Sequence, residues 1–164
     1  MNRIEYERIV MVVQRVFDIA LEIFKDDPLW QGRTGAYFTL AVGTSAPSFD
    51  PALIGTVPPE KRGKYSFNSA EKAMRLFHHP EHLSSWQSRD LTVEPKRWGG
   101  AIRIGNRIYS LSGFPELGDE ASVCATGAVL ESPDTLEVLD MIAEVSQNPY
   151  WQPLRHAVVG RITI

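Results

Sequence analysis

A chain of 164 residues with 43% hydrophobic and 23% charged side chains has the composition of one globular domain. Its 17 basic and 20 acidic residues leave a net charge of −3, which argues against a polyanionic partner such as nucleic acid. A single cysteine excludes an internal disulfide framework, and no apolar run approaches the ~20 residues of a membrane span. The charged N-terminus MNRIEYERIV lacks the apolar stretch of a secretory leader. With the lone thiol, it sets the expectation of a cytoplasmic protein without membrane contact.

Residues 3–25 read as one long amphipathic helix. Ile9, Val13, Val16, Ala20 and Ile23 recur at spacings of three and four, and Val12, Phe17 and Phe24 widen the stripe. Pro28 stops it, because the residue before a proline avoids helical geometry. The stripe is wide enough that part of it is expected to face a second copy of the chain. TGAYFTLAVGT (34–44) is a strand, aromatic and β-branched between glycines. The stretch 45–65, dense in Pro, Gly and Ser, reads as a long excursion holding a weak strand at ALIGTV. Asn68 or Ser69 is placed as the cap of a helix through AEKAMRLFHH, followed by a shorter helical turn in PEHLSSWQSR. GGAIRIGNRIYSLSG is a hairpin turning at Gly105-Asn106, which sets Ile104 opposite Arg107 and Ile102 opposite Tyr109. Both its faces carry apolar residues, as in a sheet covered on both sides. A helix over 115–131 comes next. A second opens at Ser132-Pro133, with Leu136, Leu139, Ile142 and Val145 as its stripe and Asn148-Pro149 as its end. The tail RHAVVGRITI is β-prone and reads as an edge strand or an arm onto a neighbour.

Candidate chemistry is sparse. Three of the four histidines fall in LFHHPEHL (76–83), and His78, Glu81 and His82 fit the H-x-x-E-H spacing of inverted zinc metallopeptidases. That chemistry needs both imidazoles on one helical face, and Pro80 between them costs about 3 kcal/mol or more inside a helix. The expectation is a helix end and a new start, with no metal. His79 or His82 is kept as a ligand-binding candidate, since one exposed imidazole suffices to ligate haem iron. Cys124, among Ala121, Ala125 and Ala128 at helical spacing, reads as a buried core thiol. Asp119 and Glu120 point about 100° apart on a helix and make a poor acid–base pair; acids in a first turn complement the helix dipole instead. The glycines form neither G-x-G-x-x-G nor a P-loop, G-x-S-x-G is absent, and Trp98 and Trp151 lack the basic neighbours of a nucleic-acid stacking platform.

The run WGGAIRIGNRIYSLSGFPELGDEASVCATG resembles the GlcG/HbpS-like family, which includes the C-terminal domain of PduO-type proteins. The resemblance is carried by Gly99, Gly100, Gly105, Gly113, Asp119, Glu120, Ala121 and Gly127, and upstream by Lys72 and Ala73 of SAEKAMRLF. It covers about 66–131, extends to the order of elements in 3–44, and is absent beyond 132, where a helix-plus-strand extension of a single 1–164 domain is expected. It implies a profilin-like α/β/α sandwich of the α+β kind. An antiparallel sheet would carry the N- and C-terminal helices on one face and the Lys-Ala helix on the other. It also implies a homo-oligomer, and haem or a corrinoid-related molecule as the candidate ligand. The first helix has no histidine or cysteine, so haem ligation does not transfer residue by residue. Three readings follow. One is a non-catalytic small-molecule-binding oligomer, with His79, His82, Lys72, Gly99, Gly100, Asp119 and Glu120 as binding candidates. Another is an enzyme using Asp119, Glu120 and Lys72 in a pocket at the hairpin and helix ends. The last is a ligand-free adaptor, by fold analogy alone.

Overall fold

The structure, a computed structural model, describes residues 1–43 and 50–162. Its elements in chain order are α1 (Arg3–Ile23), β1 (Gly35–Val42), β2 (Ala52–Gly55), α2 (Pro59–Phe77), β3 (Ala101–Ile104), β4 (Arg107–Ser112), α3 (Glu116–Leu130), α4 (Leu136–Ser146) and α5 (Trp151–Val158). The strands pair antiparallel in the order β2-β1-β4-β3. The fold is therefore α+β, and the alternation of side chains along each strand builds its layers. Ala36, Phe38 and Leu40, Ile102 and Ile104, and Tyr109 and Leu111 enter a core shared with α1, α3, α4 and α5. The intervening Ala41, Ala101 and Ile108 meet Ala73 and Leu76 of α2 on the opposite face. That second face is lined with small and hydroxyl side chains: Thr39 and Ser69 hydroxyls lie 2.7 Å apart, and Ser110 donates to the Ser69 carbonyl at 2.7 Å. A three-layer sandwich results, with α2 alone on one side of the sheet. No helix among the described residues is long and apolar enough to cross a membrane.

α1 runs as its periodicity requires. Asn2 caps it by accepting the Glu5 N–H at 2.9 Å, and Ile9, Val12, Val13, Val16, Phe17 and Ala20 are buried. Three expectations change. The excursion holds the expected strand as β2 but does not run to residue 65: α2 starts at Pro59, about ten residues before Ser69, with Pro59 in the first turn where its missing N–H is harmless. Its buried face is Ser69, Lys72, Ala73, Arg75 and Leu76. None of residues 59–68 is buried, so the first half carries no apolar stripe for periodicity to reveal. The start of the excursion, residues 45–49, lies outside the described residues. In the fourth helix the inward positions are Leu139, Ile142, Ala143 and Ser146, while Val145 is 56% exposed. The tail is not a strand as far as residue 158: Trp151, Leu154 and Val158 form the buried face of α5 against α1 and α3, and this burial overrides β-propensity. Residues 163–164 of the tail lie outside the described residues.

The hairpin has the expected register, Ile102 opposite Tyr109 and Ile104 opposite Arg107. Gly105 takes φ +55° with nothing within 4 Å of where a Cβ would stand, so backbone strain alone decides a substitution there. Gly105→Val is expected to lose roughly 1–2 kcal/mol. A thermal melt indistinguishable from wild type would contradict this.

Candidate functional site

Lys72 sits in the C-terminal half of α2 and reaches past the small-residue face of the sheet toward the start of α3. Its ammonium donates to the Leu111 carbonyl at 2.6 Å and to Asp119 Oδ2 at 3.0 Å, and the two side chains are only 2% and 4% exposed. Asp119 Oδ1 accepts the Gly113 N–H at 3.1 Å and the Phe114 N–H at 2.9 Å. Burial pushes the Asp119 carboxyl up to about 6, against the opposing pull of Lys72 and of the Phe114 and Gly113 N–H groups. Gly100 makes the approach possible. It has φ +108°, and a Cβ there would stand 2.7 Å from Asp119 Cβ and 2.8 Å from Lys72 Nζ. The pair thus clamps α2, β4 and the first turn of α3 together.

The clamp forms the buried end of a cleft of ≈ 310 Å³, walled by Arg33, Lys64, Tyr65, Asn68, Trp98, Ser112 and Glu116, with Gly113, Phe114 and Pro115 completing it. Arg33 donates to the Gly113 carbonyl at 3.1 Å and to the Tyr65 hydroxyl at 3.4 Å. Among the described residues, neither Arg33 nor Lys64 has a carboxylate within 4.0 Å, so both cations are without a counter-ion. The acids of the cleft are engaged. Besides Asp119, Glu116 Oε1 accepts Arg89 Nε at 2.7 Å and the Gly99 N–H at 2.6 Å. A second groove of ≈ 370 Å³ adjoins it, sharing Lys64, Asn68 and Trp98 and adding Phe67, Glu94, Pro95 and Lys96.

The residues singled out in the sequence separate into three places. Lys72 and Asp119 line the cleft; Gly99 and Gly100 lie behind it, Gly99 against Trp86 and Glu116. Glu120 is not in the cleft. One helical step past Asp119 it turns away, accepting Ser84 Oγ at 2.8 Å, Asn148 Nδ2 at 3.1 Å and the Ser146 hydroxyl, and burial raises its pKa. This corrects the three-residue pocket of Lys72, Asp119 and Glu120. His79 and His82 lie between the end of α2 and the next turn and do not line the cleft, whose α2 residues are Lys64, Tyr65, Asn68 and Lys72. His78 caps α2, and the imidazoles that meet are His79 and His82, stacked with centroids 4.8 Å apart. Cys124 is a fully buried core thiol, raised well above its ordinary range by burial. Sequence reading missed Arg33, which stands in an unpatterned loop and reaches the site only through the closure of β1 on β4. It also missed Arg75, whose guanidinium donates to the Ser85, Ser88 and Trp98 carbonyls at 2.9, 3.0 and 2.5 Å and so holds the Trp98 wall.

Comparison with protein-family models, curated proteins and solved structures found no match.

Proposed function

We propose that the protein is a non-catalytic binding module for a small organic anion held in the cleft at Arg33 and Lys64. The observation that carries this is the imbalance there: two cations without counter-ions among the described residues face acids already engaged by Lys72 and Arg89. A volume of ≈ 310 Å³ is at the lower end of the roughly 300–1,000 Å³ of small-ligand pockets. Tyr65 and Trp98 supply flat apolar wall for a planar part of the ligand. Binding is favoured over catalysis because the Asp119 carboxylate already accepts three N–H donors and Lys72 is buried against it. The resemblance to the GlcG/HbpS-like family supports the same location, since its Lys72, Gly113 and Asp119 line the cleft and Gly100 admits the clamp. For haem, the cleft offers only Tyr65 from the usual axial set of His, Cys, Met and Tyr. An absorbance spectrum of freshly purified protein with a Soret band would revive that ligand.

The test is calorimetric titration with a series of mono-, di- and tricarboxylates and inorganic phosphate. At least one is expected to bind saturably, with affinity roughly tenfold or more weaker in Arg33→Gln and in Lys64→Ala, the size of one charge-assisted hydrogen bond. No binding across the series, or wild-type affinity in both variants, would sink the reading. A homo-oligomer is part of the proposal, on narrower grounds than the sequence suggested. The α1 stripe is largely consumed inside the chain, and what remains outside is Ile4, 80% exposed, and Met11, 54% exposed. Light scattering is expected to return a multiple of 18.4 kDa; the monomer mass at micromolar concentration would remove it.

A further inference from the structure

We propose that His79, Glu81 and His82 form an open site for a divalent transition-metal ion of the zinc class. The expectation of a metal-free cluster rested on the His78–His82 pair, which Pro80 does separate. The same proline brings another pair together. α2 ends at Phe77, and the chain then turns so that the His82 N–H donates to the His79 carbonyl at 3.0 Å. Both imidazoles now project to one side, stacked with centroids 4.8 Å apart and planes 14° from parallel. His79 Nδ1 lies 3.0 Å and His82 Nε2 3.6 Å from the same Glu81 Oε1, and one ligand atom from each residue falls within 4.8 Å of the others.

An ion held at about 2.0–2.2 Å by each donor needs those donors about 3–3.5 Å apart, so small side-chain rotations complete the site. The side chains are free to make them, being 44%, 62% and 21% exposed for His79, Glu81 and His82. The backbone beneath them is held. Arg103 of β3 donates to the carbonyls of Leu76 at 2.5 Å, His82 at 3.3 Å and His79 at 3.4 Å. Two imidazoles and a carboxylate suit zinc, copper or nickel rather than calcium or magnesium, which take oxygen donors, and three protein ligands leave a fourth position to water. Three features set the strength. Glu81 is held ionised, its pKa lowered by its own backbone N–H and by His79. Against this, the Arg103 cation faces the cluster, and His82 Nδ1 is buried without a hydrogen-bond partner among the described residues. A ligating imidazole without such a brace binds about 10–100-fold less tightly than a braced one.

The test is titration of untagged protein with zinc chloride against a chromophoric chelator, with cobalt(II) as the spectroscopic probe. One zinc per chain is expected, with visible cobalt bands of a four- or five-coordinate ion and affinity falling as pH falls, because protons compete for the imidazoles. His79→Ala and Glu81→Ala should each weaken binding tenfold or more, and His78→Ala, outside the cluster, should leave it unchanged. Failure to saturate, wild-type affinity in His79→Ala, or equal losses in His78→Ala and His79→Ala would each overturn the proposal. His79 is exposed enough that its variant decides the matter even if the more buried His82→Ala does not fold. The anion-binding cleft shares none of these residues, so the outcome is independent of it.

Discussion

Lys72→Met is expected to lower folding stability by about 3–5 kcal/mol, the range for removing one partner of a buried ion pair. Methionine matches the stem of lysine, so the loss isolates the charge. The variant leaves the Leu111 carbonyl without the ammonium and a buried Asp119 carboxylate with only the Gly113 and Phe114 N–H donors. The deficit should depend on pH with a definite sign. Asp119 is raised from 3.8 to about 6 in the folded protein, so its protonated form stabilises the fold below about pH 4, and that contribution is lost as pH rises through about 6. Lys72 is one of the groups pulling this carboxyl down. Without it the carboxyl rises further, and the variant is penalised most above pH 6, where the wild type carries a paired carboxylate. Urea unfolding at pH 5 and pH 7.5 checks this: the gap between variant and wild type should be smaller at pH 5. An equal gap would show that the carboxylate is not its cause.

Gly100→Ala is expected to cost about 2–5 kcal/mol, combining left-handed backbone strain with overpacking. At φ +108°, the new methyl would meet Asp119 Cβ and Lys72 Nζ at 2.7 and 2.8 Å, and the backbone is tied down because the Gly100 carbonyl accepts the Leu111 N–H at 3.1 Å. The methyl presses on both Asp119 and Lys72 and so strains the contact between them. A double variant with Lys72→Met should therefore lose less than the sum of the two single losses. Full additivity in chemical denaturation would place the cost of the methyl in the backbone alone. Gly105→Val, strained but unobstructed, is the smaller effect by comparison.

What could be read from the sequence were the elements whose burial leaves a local trace. α1 shows a 3.6-residue apolar stripe because it packs on apolar strand faces, and the β3–β4 hairpin shows its register because a two-residue turn with glycine leaves one pairing. Lys72 and Asp119 stood out through motif resemblance, though nothing local to either says that they meet across 47 residues. The first half of α2 left no trace, since none of its side chains is buried and the helix's buried face begins only at Ser69. α5 was hidden by the β-propensity of residues that packing against α1 and α3 holds in a helix. Arg33 and the Gly113 carbonyl it holds are 80 residues apart, and the cleft exists only once β1 lies beside β4. His79 and His82 meet because Pro80 replaces the helical register with a turn, a consequence of the proline whose outcome Arg103 on a distant strand secures. Periodicity reports how one segment sees an apolar neighbour. Which polar groups converge, and which are left without a counter-ion, is decided by chain closure, because those energies depend on distances that no single segment contains.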